Sequence, residues 1–519
     1  LFTEKGLQQI HQFRENTTTF GSLRQPLLTI EEITTLKSRV ARVSPGDDLL
    51  RQETHSKVLL SLDQAEMLSQ RYHVVVANPP YMGGKGMNGS LKSFLQDNYA
   101  DVKWDLFSAF MVRNTKFALP KGRLGFMTPF VWMFISSYQR LRSFLINQKT
   151  ITSLVQLQYS GFDGATVPIC TFTLANSHHP NLKGSYVRLS DFRGSENQGP
   201  KTLEAINNPD CGWFYRASAN DLKNIPGNPI AYWLSASIVR AFKKFQSIGE
   251  ISAVRKGLVT LDDARFIKYW HEVSWYNIQL GISDREKSKL SECKWFPINK
   301  GGGYRKWFGF NENVINWAKD GQELKKYIIE KYDGGSYTKE IRSEEHYFKE
   351  NITWGSITSG PASFRYTPKG FLFSSGGSCI FPNENLNLLL LQLNTKITAN
   401  LLTALTPTLN YVAGDISRIP IITKSHIKSA KQHLANDLTN HTKEDWDSYE
   451  ISWDFASLPL LHNRKPTLKA SYDTLRANWH MKTQEIQRIE EENNSIFIEA
   501  YGLQGELSPN VPLNQITLT

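Results

Sequence analysis

The chain has 519 residues, 40% of them apolar, and 60 Lys and Arg against 49 Asp and Glu leave a formal charge of +11. That length allows about two to four domains with sizeable cores, and the charge favours a polyanionic partner. There is no apolar run of about 18 residues and no secretory leader pattern, and Cys170, Cys211, Cys293 and Cys379 stand too far apart for a metal site or a disulfide framework, so no membrane span and a reducing, cytoplasmic setting are expected.

Residues 1–70 read as a mixed helical insertion or linker, with helical stretches over Thr29–Val40 and Asp48–Ser69. Arg39, Arg42 and Arg51 form a solvated face or a DNA contact; the residues themselves do not decide. Val74-Val75-Val76-Ala77 then reads as a short, fully buried strand, because three β-branched residues run together. It stops in Asn78-Pro79-Pro80-Tyr81, where two prolines forbid both helix and further pairing. In an open α/β sheet, ligands bind just beyond such a carboxyl end. Gly83, Gly84, Gly86 and Gly89 follow as a loop able to move.

Trp104-Asp105-Leu106-Phe107 opens the next helix, with Asp105 placed where a carboxylate favours a helix N-terminus. Arg123–Met127 is a buried strand, the apolar residues from Phe130 to Leu145 recur at helical spacing, and Ile151–Leu157 and Val167–Leu174 are further strands. The alternation predicts a parallel, doubly wound sheet over 71–178. Residues 179–230 read as a loop-rich connector with some strand content, in which His178 and His179 lack the further ligands a metal needs.

A second domain is expected over 231–424, built from short strands divided by Gly-rich turns. Within it Lys300-Gly301-Gly302-Gly303-Tyr304-Arg305-Lys306-Trp307 combines three glycines with cations and aromatics. Such a loop suits phosphates and bases; the alternative is a solvated hairpin. Residues 425–519 read as a helical C-terminal region whose Glu490-Glu491-Glu492 is a solvated face.

Asn78-Pro79-Pro80-Tyr81 after a buried strand resembles motif IV of the amino-methyltransferases, which methylate exocyclic amines with S-adenosyl-L-methionine. The residue types suit that chemistry. An adenine N6 amine is a poor nucleophile, and two acceptors aimed at its N–H groups pull the nitrogen toward a tetrahedral geometry. Asn78 offers a side-chain carbonyl and Pro79 a backbone carbonyl. Trp104–Phe107, Gly122–Phe126 and Gly161–Val167 resemble motifs V, VI and VIII of adenine-N6 DNA methyltransferases of the gamma arrangement. The likeness implies that Asp105 and Phe107 border the cofactor, with a core role open for Phe107. It also implies that Tyr81 and Phe162 sandwich a flipped base, with an ordinary turn role open for Phe162.

Residues 231–424 resemble a Taq-like target-recognition domain, which implies DNA contacts from Lys300, Gly301, Gly302, Gly303, Arg305 and Lys306. Relatives have Thr-Gly-Asp-Asn where this chain has Thr260-Leu261-Asp262-Asp263. Trp446-Asp447 through Trp453-Asp454-Phe455, with Glu506-Leu507 and Pro512-Leu513, resemble the end of the large adenine methyltransferases of BREX (PglX-type) phage-defence systems. The resemblance runs from motif IV to the C-terminus. It implies double-stranded DNA as partner, other phage-defence proteins as possible company, and no metal.

No Asp-Pro-x-x-Gly-Ser-Gly pattern precedes motif IV, and the chain begins at Leu1. The expected fold is therefore α/β: the substrate half of a doubly wound, Rossmann-like methyltransferase sheet, then a mixed α+β recognition domain and a helical C-terminal region. The cofactor half is expected either upstream in a longer protein or on a partner polypeptide. Two other functions stay open. One is a DNA-binding specificity subunit without catalysis. The other is a protein-glutamine methyltransferase, a family that shares Asn-Pro-Pro-Tyr but predicts no long downstream domain.

Overall fold

A computed structural model describes residues 3–14, 17–159, 161, 167–358, 360–406, 410–423, 433–462 and 464–518. Phe162 lies outside the described residues. The chain divides into two compact units, Leu1–Trp233 and Leu234–Thr519.

The first unit opens with helices α1 (Glu4–Arg14), α2 (Ile30–Ala41) and α3 (Leu49–Ser69), packed around Ile10, Phe13, Ile33, Leu36 and Leu62. Thr29 starts α2 through a reciprocal cap with Glu32, and Asp48 caps α3 by accepting from Leu50 N–H. The sheet has six strands: β1 (Tyr72–Ala77), β2 (Ala118–Pro129), β3 (Thr150–Gln156), β4 (Ile169–Ala175), β5 (Gly184–Arg188) and β6 (Phe214–Ala217). Their order is β1-β2-β4-β3-β5-β6. Residues read as a connector thus supply its last two strands.

The sheet is mixed, not parallel. β1 runs parallel to β2 and β3 to β5, but β4 is antiparallel to both β2 and β3. Parallel neighbours need a crossover of a dozen or more residues, usually a helix. β4 does not continue a parallel run; it turns back and inserts between β2 and β3. Helices α4 (Gly89–Asn98), α5 (Leu106–Phe117) and α6 (Gln139–Gln148) contribute Leu91, Phe107, Met111 and Leu141 to the main core, against Phe126 and Phe172 of the sheet. Gly122 lies where the register between β1 and β2 shifts, between the pairs Tyr72–Ala118 and Val74–Arg123; a Cβ there would stand 2.9 Å from Leu119 O and 3.0 Å from His73 O.

β1 departs from its expected burial. It pairs only with β2, and Val74 and Val76 are 60% and 77% exposed. The β-branched run marks a strand suited to neighbours on both sides, and among the described residues one side is open.

The second unit holds two four-stranded sheets. In order they are β13-β9-β10-β8 and β12-β11-β14-β7, from β7 (Ser252–Arg255), β8 (Ile267–Tyr269), β9 (Trp295–Asn299), β10 (Asn313–Asn316), β11 (Asn351–Trp354), β12 (Phe364–Thr367), β13 (Leu372–Phe373) and β14 (Cys379–Pro382). Phe296, Ile298, Ile315, Trp317 and Phe373 lie in its core. The longer helices that follow are α7 (Leu386–Leu393), α8 (Lys396–Leu405), α9 (His433–Trp446) and α10 (Leu468–Tyr501). Among the described residues no single helix is long and apolar enough to cross a membrane; the bent pair α7 and α8 passes that test together, and most of its residues are buried.

Candidate active site at the end of the first strand

The turn Asn78–Tyr81 leaves the carboxyl end of β1 beside the end of β2. Pro79 is buried, whereas Asn78, Pro80, Tyr81 and Met82 are exposed. The Tyr81 hydroxyl lies 3.1 Å from Asn78 Oδ1 and 3.2 Å from Met127 O, so its one proton serves either acceptor. Partial burial holds that phenol above its ordinary pKa. The carboxamide oxygen of Asn78 has two lone pairs, and Tyr81 occupies one. The second stays available at an exposed position.

Asp105 fixes the other side of the turn. It caps α5 by accepting from Phe107 N–H at 3.3 Å, and the same Oδ1 accepts from Met82 N–H at 3.0 Å. Leu106 N–H donates back to Met82 O at 3.1 Å. Burial raises the Asp105 carboxyl pKa, and the backbone donors partly reverse that rise. The tether of Asp105 to Met82 was not visible as a site signal; only its place at a helix start was.

Phe107 is 1% exposed, sits in the core and meets the Tyr81 ring edge-on at 6.4 Å, which fits the core role left open for it. The Gly-rich stretch after the turn is short: Gly86 N–H bonds Gly83 O at 2.9 Å, and Asn88 caps α4.

In the second unit, the loop read as flexible and phosphate-facing is packed. Gly301 and Gly302 have φ of +96° and +128°. A Cβ on Gly302 would press into the Phe310 ring at 2.5 Å, so glycine is required by close packing. Arg305 is buried and ion-paired with Asp445 at 2.8 Å. Lys306 is buried and paired with Glu490 at 2.6 Å, while Trp307 Nε1 donates to the other oxygen of Glu490 at 2.7 Å. These charges hold the loop against α9 and α10, and burial keeps Arg305 and Lys306 from phosphates. Glu490 is correspondingly internal, not part of a solvated face. Lys300 is only partly buried and pairs with Asp263 at 2.8 Å. Leu261 takes φ +60°, a left-handed conformation that the glycine of the related pattern adopts without strain.

Residues 9–162 match the Eco57I restriction-modification methylase family. The chain is 34% identical over 507 residues to the adenine-specific methyltransferase BrxX of Escherichia coli O9:H4 (strain HS), covering 95% of this chain and 39% of that protein. It is 34% identical over 463 residues to the adenine-specific methyltransferase PglX of Lacticaseibacillus casei (strain Zhang), covering 85% of this chain and 37% of that one. Both of these relatives are named adenine-specific methyltransferases. The chain spans about two-fifths of the length of these relatives. Among solved structures, the type IIL restriction-modification enzyme MmeI in complex with DNA is similar at 10% identity and a TM-score of 0.48, over 84% of this chain and 55% of that one.

Proposed function

We propose that this chain carries the substrate side of a DNA adenine-N6 methyltransferase in a phage-defence or restriction-modification system. The observation that carries the reading is the exposed Asn78 carboxamide, held by Tyr81 at the carboxyl end of β1 next to the Pro79 carbonyl. An adenine taken out of the duplex would place its N6 amine between these two acceptors, with a base face toward Tyr81. The two hydrogen bonds orient the nitrogen lone pair toward the methyl donor, and positioning is most of what the protein supplies. The large second unit favours this reading over methylation of a protein glutamine.

S-adenosyl-L-methionine is the proposed donor. The reading places most of the donor's site outside the described residues, and it is supported by the burial of Phe107, the two backbone amides on one Asp105 oxygen and the edge of β1 that is open among the described residues. Isothermal titration of residues 1–519 with S-adenosyl-L-methionine is expected to give no affinity in the micromolar range. Micromolar binding would reveal a cofactor site within this chain. Transfer of a labelled methyl group to duplex DNA, assayed in the methylation-competent protein containing this chain, tests the function. N6-methyladenine is the expected product; a methylated protein glutamine, or no transfer at all, would overturn the reading. The second outcome favours a specificity subunit that binds DNA without catalysis.

A further inference from the structure

A second feature of the first unit has no part in holding the turn. A cleft of about 650 Å³ lies between the segment after α4 and the start of α6. Its lining includes Gln96, Lys103, Trp104, Ser136 and Arg140, with Asp101 the one acid. Trp104 is 53% exposed, an uncommon state for so large an apolar ring, and the Lys103 ammonium lies 5.2 Å from its centroid. Arg140 pairs with Asp101 at the surface, where both side chains are largely exposed. Such a pair contributes little and exchanges readily for another anion.

The cleft is coupled to the catalytic turn on both walls. Trp104 directly precedes Asp105, whose carboxylate accepts from Met82 N–H. Across the cleft, Ser136 and Arg140 flank Tyr138, whose ring lies 5.5 Å from Phe107, and Phe107 in turn underlies Tyr81. The inventory is therefore two cations near the surface, Lys103 bonded to Gln96 and Arg140 to Asp101, with a half-exposed indole, hydroxyls and amides. It is the set that binds a nucleic-acid strand: cations and hydroxyls for phosphate and sugar, a ring for a base.

We propose that this cleft holds the DNA strand beside the extruded adenine. Trp104 stacks on a neighbouring base or sugar, and Lys103 and Arg140 each neutralise one backbone phosphate, Arg140 leaving Asp101 to do so. The inference rests on the reading of DNA as substrate, and it names the path by which the strand reaches Asn78.

Fluorescence anisotropy of the full 519-residue chain with a labelled mixed-sequence duplex, over a salt series, tests it. Lys103→Gln with Arg140→Gln is expected to lower the slope of log affinity against log salt by about 1.8, because each phosphate contact contributes roughly 0.9. Trp104→Ala is expected to weaken binding about tenfold and leave the slope unchanged. All three side chains are at the surface, and circular dichroism of each variant establishes that the fold is retained. If the unaltered chain binds duplex and both variants match it in affinity and slope, the cleft proposal is wrong while the substrate reading stands. If the unaltered chain has no affinity for duplex, the substrate reading itself fails, and the cleft proposal with it.

Discussion

Replacing Asn78 with Ala is expected to cut methyl transfer by about a hundredfold or more while leaving DNA affinity within a few-fold. Asn78 Oδ1 is the acceptor aimed at the reacting amine, and removing one such transition-state contact typically costs about 3 kcal/mol. Binding should survive, because Asn78 is proposed to touch the base and not the phosphates. The geometry also predicts what stays intact. Tyr81 keeps its bond to Met127 O, so the turn remains attached to β2 and the variant should fold. Single-turnover transfer with filter binding on the same preparation separates the two effects. Transfer within tenfold of the unaltered protein would remove Asn78 from the chemistry.

Glu490→Ala is expected to destabilise the second unit by about 3–5 kcal/mol, since it leaves the Lys306 charge buried without a partner and the Trp307 N–H without an acceptor. The corresponding fall in melting temperature is on the order of 10 °C. Glu485→Ala on the same helix removes only a surface pair with Arg488 and is expected to change stability by less than about 0.5 kcal/mol. Combining Lys306→Met with Glu490→Gln removes both charges but keeps an acceptor for Trp307, so most of the loss should be recovered. Burial pulls the Lys306 pKa down, the Glu490 carboxylate and Tyr304 push it up, and the net shift is upward. A raised lysine pKa gives stability that is full below the unfolded value and is lost only as pH rises through the folded one. The pair therefore holds across the neutral range and weakens in alkali. Calorimetric scans of the three variants and the unaltered chain at neutral pH check the ranking.

What was legible in the sequence was local. Three β-branched residues ending in two prolines specify a strand and its exit turn without reference to the rest of the chain. The cap at Asp105 was likewise readable from its place before an apolar helix. What depended on distant partners was not. Arg305 and Lys306 beside three glycines look solvated until Asp445 and Glu490 arrive from helices far along the chain. The direction of β4 is set by its pairing with β2 and β3, and strand pattern alone does not carry it. Val74 and Val76 show the limit of apolarity as a guide. A valine-rich strand indicates what would stabilise it, not what lies beside it.

The open edge of β1 also gives the strand a signature in exchange experiments. In a parallel ladder, successive residues point their backbone groups alternately toward one neighbour and the other. Every second amide of Tyr72–Ala77 therefore faces β2, and those between face solvent. Deuterium should enter this strand in a fast–slow alternation, residue by residue. A polypeptide that docked along the edge would convert the fast amides to slow ones and leave the others unchanged. The alternation is thus a built-in gauge of whether anything has completed the sheet.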